Sequence, residues 1–371
     1  MKRINNIFES ICSLPNLREA FYKAKKRKAL TSARCSFEVN LEWELARLHQ
    51  ELTSNVYQPG SYTTFKIFEP KERMISAASF RDRVVHHAIC NLIEPIFEPT
   101  LIFDTYANRK GKGTHAGIKR CQQFLRKYPY VLKADIRKYF PSIDHAILKK
   151  IIRRKVKCQH TLLLIDRIID NSNRQEVVPC YFEGDDLFSP IERAKGLPMG
   201  NLTSQFFANL YLSPFDHFVK EKLQIKGYVR YVDDFVLFHE EKRSLHEIKG
   251  KIEAFLFQQC RLLIHPYKSQ ISATKDGITF LGQRVFTTHR RLKRENVQRF
   301  RRRLEEMMQA YRAGELNVDQ VESKLNSWLG HAKQADTFLL RKQIYHYLSH
   351  EKGLTLVEDD RFAWRLLEQQ R

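Results

Sequence analysis

The chain has little of what staples or anchors a protein. Its seven cysteines (Cys12, Cys35, Cys90, Cys121, Cys158, Cys180 and Cys260) are odd in number, scattered, and form no Cys-x-x-Cys pair. That pattern excludes a disulfide framework and a structural zinc site. No uninterrupted apolar run approaches the ~18 residues that a membrane span requires, and Met1 to Glu9 contains no signal-peptide apolar region. A cytoplasmic protein with no membrane partner is therefore expected. Repeats, low-complexity blocks and long Pro/Gly/Ser linkers are missing too, so one continuous body with lobes is predicted. Acid is in deficit: 42 Asp and Glu face 64 Lys and Arg, a formal charge of +22, with pI near 9.7. A polyanionic partner follows, nucleic acid before an acidic membrane. With 43% hydrophobic and 12% aromatic residues in a chain of 371, a disordered tail protein is excluded.

Apolar periodicity predicts helices from about Phe8 to Glu51, interrupted by the basic run Lys23 to Lys28. From Tyr57 the pattern alternates. Tyr62 to Phe68 and Met74-Ile75, separated by Pro70, predict a two-stranded ribbon. Ser79 is placed to cap a helix whose stripe of Val84, Val85, Ala88, Ile89, Leu92 and Ile93 runs until Pro95. The segment Tyr106 to Thr114 is basic and punctuated by glycine, so Arg109, Lys110 and Lys112 are candidate phosphate contacts. Walker-type spacing is absent, which argues against a nucleotide-hydrolysing loop. Another helix is predicted near Ala116 to Lys127.

Two apolar segments carry acids where a sheet would normally refuse them: Tyr130 to Phe140 with Asp135, and Tyr228 to Phe238 with Asp233-Asp234. The paired acids interrupt β-branched and aromatic runs, as at a tight hairpin tip. If the segments are neighbouring strands, Asp135 and Asp233 converge. Carboxylates ~4 Å apart repel by about 4 kcal/mol at an effective dielectric of about 20, so such a cluster needs a proton or a cation. Hard oxygen ligands suit Mg²⁺, and two such ions can clamp the oxygens of an in-line phosphoryl transfer. Asp185-Asp186 and Asp359-Asp360, in polar surroundings, read as solvated residues. Between the acid segments, Gly196 and Gly200 let backbone approach a ligand, and Asn201 or Thr203 can open the apolar helix behind them. Lys268 is expected on a short strand from Leu262, and Thr279 to Val285 as a strand pair.

This ordered set, from about Pro70 to Ala335, resembles the blocks of a reverse transcriptase. Tyr-x-Asp-Asp is its most specific part. The upstream Asp135 in Lys-x-Asp-Ile-x-x-x-Phe, the Gly-x-x-x-Ser turn and the Phe-Leu-Gly strand follow in the family's order. The resemblance implies an α+β right-hand polymerase fold with fingers, an antiparallel palm sheet flanked by helices, and a helical thumb. It places an N-terminal helical extension at 1–56, fingers at 57–127, palm at 128–286, thumb at 287–349 and a C-terminal tail or helix at 350–371. It makes Asp135, Asp233 and Asp234 the acidic triad, ligating two Mg²⁺ (Mn²⁺ substituting) with the Ile136 carbonyl. Lys268 becomes the proton donor to pyrophosphate. Lys71 and Arg73 would grip the triphosphate, Phe140 would exclude a 2′-hydroxyl, and Met199 and Gly200 would flank the incoming nucleotide.

Within that superfamily the chain is most similar to reverse transcriptases of diversity-generating retroelements. The likeness rests on Phe80 to Ala88 with Pro95 to Glu98, on Tyr106 to His115, and on Gly200 to Gln205, where related bacterial enzymes carry Gln-Gly-x-x-x-Ser-Pro. The group usually has Ile, Val or Leu before that glycine, and Met199 keeps the apolar character. The resemblance implies template RNA, cDNA product, deoxynucleotide triphosphates and a small basic, oligomeric accessory protein as partners. Arg290, Arg291, Lys293, Arg294, Arg301 and Arg302 crowd the expected thumb and fit the tracking of a template-product duplex. Ser327 to Ala332 resembles the thumb signature of intron-encoded relatives, and no maturase extension, endonuclease or RNase H domain is expected. The rival readings are a defence-associated or retron-like reverse transcriptase and a noncatalytic, maturase-like RNA-binding protein.

Overall fold

Helix caps and apolar stripes set the architecture of the N-terminal third. The computed structural model describes residues 3–26, 30–68, 72–173, 180–351, 355–358 and 364–367. Four helices, Phe8–Cys12, Leu14–Lys25, Ser32–Val39 and Leu41–Thr53, fill the segment predicted to be helical. Their buried residues (Ile11, Leu17, Phe21, Phe37, Leu45 and Leu48 among them) recur at three- and four-residue intervals. The ribbon follows as β1 (Thr63–Ile67) and β2 (Arg73–Ala77), antiparallel with Phe65 opposite Ile75. Ser79 caps the helix Phe80–Phe97 by accepting from the Asp82 amide. Asp82 is itself locked by the Tyr57 hydroxyl at 2.7 Å and the Gly60 amide at 3.1 Å. Pro95 does not stop this helix as expected. It lies in the last turns, where one bond is lost, and burial of Ile93 and Phe97 on either side carries the helix through.

The chain divides into two compact units. The first comprises Met1–Gly113, Leu132–Leu237 and Arg243–Gln270. It contains the helices above and a sheet in which β4 (Gly227–Tyr231), β5 (Asp234–His239) and β3 (Tyr130–Asp135) are neighbours in that order. Phe235, Val236 and Leu237 on β5 and Val131, Leu132 and Ala134 on β3 are fully buried, as expected of strands covered on both faces. The predicted strand through Phe140 ends early. After Asp135 only a single bridge from Ile136 to Ile264 continues the pairing, Lys138 takes a left-handed conformation, and Tyr139–Ser142 forms one helical turn. Helices His145–Arg153, Gln159–Asp170, Leu202–Tyr211 and Ser213–His217 also lie in this unit, with Lys242–Cys260 from Arg243 onward.

The second unit comprises Thr114–Val131, Phe238–Lys242 and Ile271–Arg371. Helix Thr114–Lys127 is tied to a three-stranded sheet by Gln122, which donates to the Phe286 carbonyl at 3.0 Å, and by Arg126, which donates to Thr287 at 2.7 Å. The sheet pairs Ile278–Phe280 with Gln283–Val285, and the latter with Arg290–Leu292. Leu281 and Gly282, both at positive φ, make its two-residue turn. Helices Arg294–Arg312, Val318–Ala332 and Phe338–His346 then pack around Leu304, Met308, Val321, Leu325, Leu329 and Ile344. Phe300 stacks on Trp328 with centroids 3.8 Å apart. The segment expected as a tail or helix instead carries two short antiparallel strands, Thr355–Glu358 and Trp364–Leu367.

Candidate active site

The acid pair sits on the tightest turn available to a sheet. β4 ends at Tyr231 and β5 begins at Asp234, so Val232 and Asp233 alone make the connection. Val232 has φ +56°. A two-residue turn with positive φ at its first position usually takes glycine there. A β-branched residue in that conformation costs ~1–3 kcal/mol and needs its surroundings to impose it. Because β5 lies beside β3, the hairpin brings Asp233 and Asp234 to the end of the strand that terminates in Asp135.

The electrostatics show how close the three acids are. Burial first, and the neighbouring Asp135 charge second, push the Asp233 carboxyl up to about 6. Asp234 stands at about 7, and burial is the largest cause of its rise. The Lys133 ammonium, 3.8 Å away, works against that rise, and Asp135 and Asp233 add to it. Asp234 Oδ1 is buried without a hydrogen-bond partner. Lys268 Nζ donates to Asp135 Oδ2. Lys268 does not lie on a strand. His265 to Lys268 is a turn, anchored where the His265 amide donates to the Asp135 carbonyl at 2.7 Å and Ile264 bridges Ile136. Among the described residues no three His, Cys, Asp or Glu side chains form a ready-made metal cage. The donor set nevertheless suits a hard cation: oxygen ligands, mutual repulsion and one orphaned carboxylate oxygen. Mg²⁺ characteristically takes one or two protein carboxylates and completes its shell with water and phosphate.

Beside the acids, three chain segments meet. The Ser76 amide of β2 donates to the Met199 carbonyl at 2.9 Å, and the Leu197 amide donates to the Phe140 carbonyl at 2.9 Å. Gly200, at φ +114°, passes so close to Ile75 that a Cβ would lie 2.9 Å from Ile75 Cγ2. Asn201 precedes helix Leu202–Tyr211 but makes no capping bond. Its side chain accepts from the Ala78 amide at 3.0 Å and donates to the Ser76 carbonyl at 2.8 Å, fastening ribbon to loop. Arg73 is exposed, and its charge favours ionised Asp233. Phe140 and Met199 are half-buried. Lys71 lies outside the described residues.

The basic residues divide. Arg109 is turned inward. Its side chain is 7% exposed, its Nε and Nη2 donate to Glu98, and its Nη1 donates to the carbonyls of Ile102 and Thr105. Lys112 donates to the Phe103 carbonyl and lies over the Phe103 ring at 3.3 Å. Lys110 is exposed. In the second unit Arg291, Arg294, Arg301 and Arg302 are exposed, while Arg290 and Lys293 are half-buried. Asp185 is not a free solvated acid, since it pairs with Arg193 and accepts from the Phe182 amide at 2.7 Å. Asp359 and Asp360 lie outside the described residues. Sequence reasoning passed over Arg230. Its signal was a lone cation inside the apolar run Tyr228-Val229-Arg230-Tyr231, next to the acids.

Residues 66–285 match the family described as reverse transcriptase (RNA-dependent DNA polymerase). The chain belongs to that family, whose right-hand polymerase fold is of the α+β class. It is similar to protein YkfC of Escherichia coli K12, at 25% identity over 67% of this chain and 72% of YkfC. It is also similar to the group II intron-encoded protein LtrA of Lactococcus lactis subsp. cremoris, at 24% identity over 56% of this chain, and spans 34% of LtrA's length. A solved apo telomerase from Candida tropicalis aligns with a TM-score of 0.44 and 14% identity, over 63% of this chain and 55% of the telomerase chain.

Proposed function

We propose that this chain copies RNA into DNA by two-metal phosphoryl transfer, and that it does so in a diversity-generating retroelement. The polymerase reading is carried by one observation: Asp135 lies within electrostatic reach of the Asp233-Asp234 hairpin, with Lys268 on its carboxylate. The retroelement reading is supported by Met199-Gly200-Asn201-Leu202-Thr203-Ser204-Gln205, which places an apolar residue where related enzymes carry glutamine. Residues 57–127, 128–286 and 287–349 would then be fingers, palm and thumb.

Divalent ions, Mg²⁺ or Mn²⁺, would supply Lewis-acid charge that activates the primer 3′-hydroxyl and neutralises departing pyrophosphate. Asp135 and Asp233 would hold them, with the Ile136 carbonyl and Asp234 assisting. Arg73 and Lys71 would fix the triphosphate, and Phe140 would lie under its sugar. The primer 3′-hydroxyl would lose its proton to water as its oxygen bonds to the α-phosphorus, the bond from that phosphorus to the α–β bridging oxygen would break, and Lys268 would give the leaving pyrophosphate a proton from Nζ. Exposed Arg291, Arg294, Arg301 and Arg302 would track the duplex backbone. Lys110, and Arg290 and Lys293 with less exposure, would add to the phosphate contacts.

Met199 would govern fidelity opposite adenine. A flexible thioether fills space without the orienting hydrogen bond of glutamine, and loss of ~1.4 kcal/mol of discrimination raises error tenfold. Sequencing cDNA made by Met199→Gln tests this. Misincorporation at template adenines should fall more than at other bases, and an unchanged adenine error rate in an active variant contradicts it. Partnership with a small basic, oligomeric accessory protein is tested by co-purification with and without ribonuclease, which separates protein contact from an RNA tether. The similarity to LtrA favours one second reading, a maturase-like RNA chaperone. Retention of full biological function by Asp233→Asn would select it.

A further inference from the structure

Arg230 is buried completely, at the penultimate position of β4, two residues before Val232. All five of its N–H donors have partners, the full complement of a guanidinium. Nε and Nη2 form a fork on Asp216, at 2.7 and 2.6 Å, and Asp216 also accepts from the Tyr228 hydroxyl at 2.8 Å. Nη1 and Nη2 each donate at 3.2 Å to Asn209, to its side-chain oxygen and to its carbonyl. These four bonds suffice to bury a charge: Asp216 neutralises it and Asn209 takes the remaining inward donors. The fifth goes elsewhere. Nη1 donates at 2.9 Å to the carbonyl of Val232, the residue held at φ +56° immediately before Asp233. The frame behind this bond is fixed. Asn209 Nδ2 donates to the Ala107 carbonyl at 2.9 Å, and the Arg230 backbone pairs with Asp104 and Tyr106 at 3.0 Å each.

We propose that Arg230 is a positioning residue for the acidic pair, its buried guanidinium holding the Val232 carbonyl so that a turn unfavourable to valine presents Asp233 to the metal and the nucleotide. The inference rests on the polymerase reading of this site and adds to it a residue that touches neither substrate nor ion. A lysine is a point donor and cannot form the fork on Asp216, reach Asn209 and bond the turn together. Without the fifth bond, the strained residue relaxes toward the conformations that valine prefers and carries Asp233 with it. A displacement near 1 Å at a reacting centre is enough for a loss of about a hundredfold.

The test is a double-mutant series read by RNA-templated primer extension, with kcat and KM for the deoxynucleotide determined separately. Arg230→Lys is expected to lower kcat by ~10- to 100-fold, with KM within about twofold, and to raise the Mg²⁺ concentration needed for half-maximal rate. Val232→Gly supplies a residue that takes positive φ without support, so Arg230→Lys/Val232→Gly should recover at least about fivefold in kcat while its thermal stability stays as low as that of Arg230→Lys. Tyr228→Phe, which loosens Asp216 but leaves the turn bond, should lower stability and leave kcat per folded molecule unchanged. If Arg230→Lys does not fold, Asp216→Asn takes its place with the same expected pattern. Absence of rescue by Val232→Gly, or a loss confined to KM, overturns the positioning role and leaves Arg230 as core packing alone. A wild-type protein that extends no primer overturns the polymerase reading on which the role rests.

Discussion

Asp234 carries the heaviest electrostatic load in the candidate site: burial, two neighbouring carboxylates and an oxygen with no partner. Free aspartate titrates near ~3.9, whereas Asp233 and Asp234 are raised to about 6 and about 7. Between those values the folded protein binds more protons than the unfolded chain. The contribution of the pair to stability is therefore fully present below about pH 4 and is lost as pH rises through 6 to 7. A divalent ion replaces the missing protons. Mg²⁺ should therefore raise the melting temperature more at about pH 8 than at about pH 5, and the difference should shrink in Asp234→Asn. Thermal unfolding with and without Mg²⁺ at the two pH values checks this, and equal shifts at both would contradict it. Arg109 makes the opposite case at the same scale. Its bonds to Glu98, Ile102 and Thr105 make it a brace. Arg109→Ala should cost about 1.5–3 kcal/mol in chemical denaturation and change the salt dependence of RNA binding by less than one phosphate contact.

At the scale of elements, the three-helix body of the second unit depends on a small apolar core in which Leu325 and Leu329 of Val318–Ala332 face Leu304 and Met308 of Arg294–Arg312. Leu325 is 1% exposed, so Leu325→Ala should destabilise this body by ~2–5 kcal/mol. Hydrogen exchange in helix Val318–Ala332 should accelerate ahead of that in β5, and uniform acceleration across both would contradict the prediction. Elements of this kind are legible from sequence because their signal is local. The Ser79 cap, the stripe from Val84 to Ile93 and the alternation at Thr63–Ile67 each follow from a few adjacent residues. The Asp233-Asp234 hairpin was legible for a related reason, since acids inside an apolar alternation have few structural uses. What escaped was decided by partners distant in the chain. Arg109 sits in a loop that looks ready for phosphate, yet Glu98 and two carbonyls claim it. Lys268 looks like a strand residue, but Asp135, 133 positions away, holds it in a turn. Arg230 has its partners outside its own strand, Asn209 on helix Leu202–Tyr211 and Asp216 on the short helix Ser213–His217.

At the scale of the whole molecule, a formal charge of +22 must be balanced largely by the partner's phosphates. RNA affinity should therefore fall steeply between ~50 and ~200 mM salt, by about 10³ or more for a footprint of roughly six or more phosphate contacts. Replacing Arg301 and Arg302 with alanine should reduce the log-log salt slope by about 1 to 2, and a slope that does not move would remove these two arginines from the interface. In the proposed function all such binding serves one event, the addition of a deoxynucleotide at Asp135, Asp233 and Asp234. The most direct measurement of it is primer extension on an RNA template with Mg²⁺, comparing the wild-type chain with Asp233→Asn at equal RNA occupancy. The wild type is expected to extend the primer and the variant to lose at least about a thousandfold in rate, the equivalent of ~4 kcal/mol of transition-state charge stabilisation. Extension by Asp233→Asn at close to the wild-type rate would contradict it.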